Sequence, residues 1–93
     1  MPEFRVFETD EFLRRLKKLS SRDASFLRRK LDSFVYPQLK AAPLWGNNIK
    51  KLQGYTPETW RYRIGKYRVF YIVDQEEQIL YILTVDDRKD AYR

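Results

Sequence analysis

The chain has 93 residues and a mass of 11.4 kDa, which is enough for one hydrophobic core and excludes two independent domains. It contains neither cysteine nor histidine, so disulfides, thiol nucleophiles, histidine metal sites and serine–histidine catalysis are excluded. Lysine and arginine number 19 against 13 acidic residues, and the formal net charge of +6 favours an anionic partner. Because no segment approaches the ~20 apolar residues of a membrane span and the N-terminus lacks the apolar run of a signal peptide, we expect a cytoplasmic protein that does not bind membranes.

The first 37 residues carry the pattern of a strand followed by two helices. The aromatic and β-branched run Phe4–Phe7 predicts a strand. Thr9 is a candidate N-cap for a helix over about residues 10–19, and Ser20 for a second helix that Pro37 is expected to end. Each helix has a stripe of apolar residues at helical spacing, namely Phe12, Leu13, Leu16 and Leu19 in the first and Leu27, Leu31, Phe34 and Val35 in the second.

The second half of the chain predicts an antiparallel sheet. From Pro37 to about Glu58 no period is sustained, so we predict a long connection, pinned to the core by Trp45, Ile49 and Leu52. Three runs rich in β-branched and aromatic residues follow at 60–64, 67–73 and 79–85, separated by turns short enough for hairpins. The order β-α-α-β-β-β predicts an α+β domain, a mainly antiparallel sheet with an N-terminal helical hairpin packed on one face.

Basic side chains concentrate in the middle of the chain, where residues 32–73 hold seven basic and two acidic groups. Alternation along 60–64 places Arg61 and Arg63 on one face of their strand. Arg68 lies either beside these arginines or on the face of Phe70, and the pattern leaves both placements open. Guanidinium groups bind phosphate bidentately and stay charged at physiological pH, so a groove that holds several of them suits a nucleic-acid backbone.

Each of these features also has an ordinary structural explanation. The basic residues of the two helices, such as Arg14, are expected to form a solvated face. Strand aromatics more often pack in a core than stack on bases. The alternative for Arg61 and Arg63 is ion pairing with acidic residues of a neighbouring strand. The acidic residues near the C-terminus stand beside lysine and arginine, which indicates ion pairing, and we predict no metal and no cofactor.

Two segments of the sequence are similar to a known family. The run WRYRIGKYRVFY from Trp60 to Tyr71, followed at this distance by RKDAY at 88–92, resembles the toxins of the RelE/ParE superfamily of type II toxin–antitoxin systems, the RelE branch most closely. The resemblance covers Lys50 to Arg93 in motifs and the preceding strand and helical hairpin in pattern. It implies the same order of helices and strands that the hydrophobic periodicity of the sequence predicts.

The resemblance implies a ribosome-dependent endoribonuclease that cuts mRNA by attack of a 2′-hydroxyl, without a metal, and that is inhibited by a cognate antitoxin protein. Its partners would then be the antitoxin, the ribosome and mRNA. Active members carry four basic residues and a tyrosine at corresponding positions. The correspondence gives as catalytic candidates Arg61, Arg68, Arg88 and Tyr92. The RNA-binding candidates are the neighbouring basic residues Arg63, Lys50, Lys51, Lys66, Lys89 and Arg93.

The same resemblance is compatible with two other functions. Toxins of the ParE branch bind and inhibit DNA gyrase and cut nothing, and a degenerate relative would only bind its antitoxin. Basic residues at all the expected positions favour the nuclease.

Two departures from the family's pattern are expected to weaken catalysis. Arginine, with a pKa above ~12, is a poor general base, so the base is unassigned. Asp86 and Asp87 precede Arg88, and pairing with it would reduce activity.

Overall fold

The computed structural model describes residues 3–87 and forms one five-stranded sheet. The strands are β1 (Arg5–Glu8), β2 (Ile49–Lys51), β3 (Trp60–Ile64), β4 (Tyr67–Asp74) and β5 (Ile79–Asp86). Their order across the sheet is β1-β5-β4-β3-β2, with β1 parallel to β5 and the other neighbours antiparallel. The predicted α+β class and mainly antiparallel sheet are confirmed, and the sheet gains one strand, β2, in the segment that was predicted to be a connection.

The helical layer begins as the sequence predicts. Helix α1 spans Asp10–Lys17 and α2 spans Ser21–Lys30. The Thr9 hydroxyl accepts a hydrogen bond from the Phe12 N–H at 3.2 Å, and the Ser20 hydroxyl accepts one from the Asp23 N–H at 3.1 Å. Both predicted N-caps are therefore confirmed, since each satisfies a backbone donor that the first helical turn leaves unpaired.

The prediction that Pro37 ends the second helix is wrong. The chain continues from α2 through a π-helical turn, Leu31–Val35, into α3, which spans Tyr36–Ala41. Proline cannot donate the backbone hydrogen bond of a helix interior, but it is tolerated in the first turn of a helix. Here the Tyr36 N–H bonds to the Leu31 carbonyl five residues back, and Pro37 falls in the first turn of α3. α3 thus replaces the start of the predicted connection, and β2 divides the remainder into two shorter loops.

The core lies between the helices and one face of the sheet. Phe12, Leu27 and Leu31 pack there against Tyr62 and Ile82. The other face of the sheet, which carries Arg61 and Arg63, is named the open face below. Within residues 3–87 no helix is long and apolar enough to cross a membrane.

Three apolar residues that were predicted to pack inside lie at the surface. Trp45 is 80% exposed and does not pin the connection, whereas Leu52 is buried and Ile49 packs against the core as predicted. Leu13 lies at the margin of its helical stripe and is partly exposed. Phe34 is 56% exposed because the π-helical turn, with its wider hydrogen-bonded ring, rotates this position away from the buried stripe.

Candidate functional site

The register of β3 and β4 gathers three arginines on the open face. Arg63 is the Cα partner of Arg68, and Arg61 is the Cα partner of Phe70. Residues directly opposite on antiparallel strands share a face, so Arg61, Arg63 and Arg68 lie together. The two placements that the sequence left open for Arg68 are one and the same, because the face of Phe70 is also the face of Arg61. These three residues are called the arginine cluster.

In the part of the chain that the structure describes, no member of the arginine cluster forms an ion pair. The alternative of cross-strand ion pairs for Arg61 and Arg63 is therefore wrong among residues 3–87. Arg68 Nη1 donates to the Lys66 carbonyl at 3.4 Å. Asp86, the Cα partner of Arg68 on β5, has its carboxylate 3.8 Å from Arg15 Nη1 on α1.

The arginine cluster is electrostatically unfavourable without an anion. The pKa of Arg61 is lowered, first by its partial burial and then by the positive charges of Arg68 and Arg63. Each of these effects penalises the charged form of the guanidinium. An anionic group bound among the three side chains would relieve the repulsion, and phosphate matches the planar geometry of guanidinium donors. The site is therefore suited to a phosphodiester.

The other residues that were predicted to bind or cleave RNA fall into three groups. Lys50 is the Cα partner of Arg61 and extends the arginine cluster along β2. Lys51 is bound to Glu58 at 2.9 Å, and Lys66 lies 3.7 Å from Asp23 and 5.3 Å from the centroid of the Tyr67 ring, so neither joins the cluster. The remaining candidates lie outside the described residues, and these are Arg88, Lys89, Tyr92 and Arg93.

Two buried residues beside the arginine cluster were not among the site residues predicted from the sequence. Phe70 is 1% exposed on the open face, and it lies outside the core cluster between sheet and helices. Thr84, its Cα partner on β5, is buried, and within residues 3–87 its hydroxyl has no hydrogen-bond partner. A β-bulge adjoins this pair, since Tyr71 is opposite Ile82 and Leu83 is skipped. Bulges recur beside binding sites because they redirect side chains, and no periodicity in the sequence signals this one.

The fold is that of the small RelE-like toxins. It superimposes on the toxin–antitoxin complex RelBE2 from Mycobacterium tuberculosis with a TM-score of 0.72 and 31% identity, over 95% of this chain and 100% of that one. The archaeal RelE–RelB complex from Pyrococcus horikoshii gives a TM-score of 0.71 and 26% identity, over 96% and 99%. The isolated E. coli RelE toxin, at 22% identity and a TM-score of 0.66 over 96% and 90%, shares the fold.

Sequence comparison gives the family. The family described as the ParE toxin of type II toxin–antitoxin systems matches residues 6–92, and the chain belongs to it. It is thus a toxin of a type II toxin–antitoxin system in the RelE/ParE superfamily, as the motifs indicate. The putative toxin RelE1 of Methanocaldococcus jannaschii is 41% identical over 46 residues, a segment that covers half of this chain and half of that relative.

Proposed function

We propose that this toxin is an endoribonuclease that cuts mRNA on the ribosome. One observation carries the proposal: Arg61, Arg63 and Arg68 lie on the same face of neighbouring strands, and among residues 3–87 no carboxylate is paired with them. Three guanidiniums on one face favour a ligand with a dense negative charge, and negative charge develops on the phosphate oxygens during phosphodiester cleavage. The RelE-like toxins in the M. tuberculosis and P. horikoshii complexes share the fold that carries these arginines.

The proposed reaction is an internal transesterification. The 2′-oxygen of one ribose attacks the adjacent phosphorus, the bond from phosphorus to the 5′-oxygen breaks, and the products are a 2′,3′-cyclic phosphate and a 5′-hydroxyl. One proton leaves the 2′-hydroxyl and one is delivered to the departing 5′-oxygen. The phosphorane between these steps carries an additional negative charge, and preorganised positive donors stabilise it more strongly than they stabilise the ground state.

Within this proposal the arginines act through charge. Arg61 and Arg68 bind the phosphorane oxygens, with Arg88 as a third donor, and Arg63 binds the backbone beside them. Arginine is a poor proton acceptor, so none of these residues takes the 2′-proton. Tyr92, the position that corresponds to the family's C-terminal tyrosine, has the proposed role of stacking on a base or assisting proton transfer.

Dependence on the ribosome follows from the same lack of a strong base. A site that supplies mainly charge must receive its substrate already in line for attack, and alignment of reacting groups accounts for a large part of many barriers. A ribosome holds mRNA in a fixed conformation, whereas free RNA must be ordered by the toxin alone. We therefore propose the translating ribosome as the place of cleavage.

The proposed protein partner is a cognate antitoxin. The M. tuberculosis and P. horikoshii structures are complexes of related toxins with their antitoxins. The net charge of +6 favours an acidic segment, because complementary charge accelerates association and excludes wrong partners. A co-encoded acidic or amphipathic protein that abolishes toxicity on co-expression is the expected result.

Mapping of mRNA 5′ ends after induction of the chain in a bacterial host tests the proposed activity. Cuts within translated regions that disappear when initiation is blocked support ribosome-dependent cleavage. Toxicity with intact mRNA and with DNA damage would instead indicate gyrase inhibition. Full growth of the host with intact mRNA would indicate a degenerate relative.

A further inference from the structure

A pocket at the edge of the sheet adjoins the arginine cluster. β2 pairs with only part of β3, and the Arg63 N–H bonds to the Asn48 carbonyl at 3.0 Å just beyond the paired segment. There the end of β3 approaches the π-helical turn, and a pocket of about 260 Å³ opens between them. It is called the helix-edge pocket. The side chains that matter for its chemistry are Lys30, Phe34, Asn48 and Arg63, with Val35 and Ile64 as apolar neighbours.

The π-helical turn gives the helix-edge pocket its aromatic wall. Leu31 and Val35 of this turn are buried in the core, whereas Phe34 between them is 56% exposed. The Lys30 ammonium lies 5.1 Å from the centroid of the Phe34 ring, a cation–π contact that orients both side chains. Isolated π-helical turns occur frequently at functional sites. The fold thus holds a phenyl ring and a cation together at the mouth of a pocket.

The charged residues that line the pocket within residues 3–87, Lys30 and Arg63, are both basic. Among residues 3–87, no carboxylate lines the helix-edge pocket, and none lines the adjoining groove of about 440 Å³, to which Arg29 and Phe26 contribute. Asp32, the acidic residue of the same turn, is 3.3 Å from Arg28 and lines neither cavity. Exposed aromatic rings alternating with unpaired cations are typical of surfaces that bind single-stranded nucleic acid.

We propose that the helix-edge pocket binds a nucleotide of single-stranded RNA that flanks the cleaved phosphate. Its base stacks on Phe34, and its phosphate lies between Lys30 and Arg63. This inference rests on the proposed function and assigns a subsite to the same RNA. Arg63 belongs to both surfaces, because it shares the open face with Arg68 and also lines the pocket. An RNA strand that leaves the arginine cluster therefore meets the pocket next.

Equilibrium binding of a fluorophore-labelled single-stranded RNA of about ten nucleotides tests this subsite, with fluorescence anisotropy as the readout. Stacking on one aromatic side chain is worth enough that Phe34→Ala should weaken binding about tenfold or more. Lys30→Ala should weaken binding and also reduce the slope of log Kd against log salt by about 0.7, because one phosphate contact is lost. Phe34→Ala should leave that slope unchanged.

Phe7→Ala is the matched control. Phe7 is also 56% exposed, but it lies on β1 at the opposite edge of the sheet, where it packs against Tyr81. The Phe7→Ala variant should bind the RNA as tightly as the parent. All three side chains are solvent-exposed, so thermal unfolding should verify that each variant is folded before its affinity is compared.

A parallel measurement of ribosome-dependent cleavage separates this inference from the proposed function. For Phe34→Ala, the expected result is a higher KM for mRNA-programmed ribosomes with an unchanged kcat. If the parent cleaves no mRNA while Phe34→Ala and Lys30→Ala still lose RNA affinity, the subsite stands and the nuclease proposal fails. If the parent cleaves mRNA and both variants bind RNA as tightly as the parent, the subsite is wrong. If Phe34→Ala and Lys30→Ala bind RNA normally but lose affinity for an antitoxin peptide, the subsite is also wrong, and the pocket is then a protein-binding surface.

Discussion

Arg63 and Arg68 stand directly opposite each other on β3 and β4, as Cα partners in an antiparallel pair. Like charges in this position destabilise a sheet. On the other face of the same strands, Tyr62 and Val69 are Cα partners and both are buried in the core. The strand pair is therefore stabilised by its helix-facing side chains, and the repulsion on the open face is tolerated. Such a pair of guanidiniums is suited to bind an anionic ligand.

Removal of one arginine from the cluster should impair cleavage without impairing folding. If Arg68 stabilises the phosphorane, Arg68→Ala should lower the rate of cleavage of ribosome-bound mRNA by ~10²-fold or more, and Arg61→Ala and Arg88→Ala should have effects of the same size. The free energy of unfolding should change by less than about 0.5 kcal/mol for Arg68→Ala. A small gain in stability is expected, since a like-charge contact with Arg63 is removed.

Arg14→Ala is the matched control for these variants. Arg14 is exposed on α1 and its Nη2 lies 3.4 Å from Glu11, an exposed pair that contributes less than about 0.5 kcal/mol. Neither cleavage nor the melting temperature should change appreciably. Full cleavage by Arg68→Ala and Arg88→Ala would contradict the assignment of these residues to the catalytic site.

Cleavage should not depend on a divalent metal ion. The proposed reaction uses a 2′-hydroxyl as nucleophile and guanidiniums as the charge donors, so no step requires metal-bound water. Addition of EDTA to the cleavage assay, with ribosome integrity verified by sedimentation, should leave the rate unchanged. Loss of activity on intact ribosomes would disprove the metal-independent mechanism. Purified protein should cut naked RNA poorly at physiological salt, because the substrate is then not aligned.

The elements that the sequence predicts correctly are those with a strong local signal. Alternation of Tyr62 and Ile64 with arginine marks β3, and the hydroxyls of Thr9 and Ser20 mark the helix starts. β2 is only three residues long, too short for a period of two to be recognised, and it forms because β3 offers it a partner. Pro37 was misinterpreted because the hydrogen bond from Tyr36 to a residue five positions back depends on tertiary packing.

The candidate site was predicted in composition but not in arrangement. Alternation placed Arg61 and Arg63 together, whereas the position of Arg68 depended on the register of the hairpin that Gly65 and Lys66 close. Lys50 joins the arginine cluster only through β2, which was not predicted. Phe34 was assigned to the core by its helical spacing, and only the π-helical turn places it in a pocket. Register and irregular turns are properties of the packed chain, so a local pattern does not contain them.

Glu8 is the centre of a polar cluster that joins β1 to the helical layer. Its carboxylate accepts hydrogen bonds from Arg28 Nη1 at 2.8 Å, Arg28 Nη2 at 3.2 Å and the Tyr36 hydroxyl at 2.6 Å. Glu8→Gln removes the charge and one acceptor oxygen while the shape is kept. Because Arg28 is partly exposed and therefore screened, we expect a loss of roughly 1–2 kcal/mol in the free energy of unfolding. Chemical denaturation measures this value.

Glu11→Gln is the control for the Glu8 variant. Glu11 is a half-exposed residue of α1 whose ion pairs with Arg14 and Arg15 are at the surface, and loss of its charge should cost less than about 0.5 kcal/mol. Cleavage should be unchanged in both variants, because neither residue lies on the open face. Equal destabilisation by the two substitutions would show that the cluster around Glu8 makes no special contribution.

The hydrogen bond from Tyr67 to Asp23 should make stability depend on acid pH. The Tyr67 hydroxyl donates to the Asp23 carboxylate, which links β4 to the start of α2. This bond is the main reason that the pKa of Asp23 lies below its ordinary value of 3.8, and the charges of Lys66 and Arg22 lower it further. Burial and the same bond raise the pKa of Tyr67 to about 12, so the hydroxyl remains a donor at acid and neutral pH.

A carboxyl group with a depressed pKa in the folded state stabilises the protein above its unfolded pKa, and that contribution is lost as the pH falls through the folded pKa. Tyr67→Phe removes the donor and should lower the melting temperature at about pH 6. The difference in melting temperature from the parent should stay constant while the pH is above the ordinary pKa of 3.8 and then narrow as the pH falls through the lowered pKa of Asp23. Arg14→Ala, whose ion pair is exposed, should show no comparable narrowing. If the melting temperatures of the parent and Tyr67→Phe differ by the same amount at neutral and at acid pH, the Tyr67 hydroxyl makes no charge-dependent contribution. Tyr67 would then stabilise the fold by packing alone.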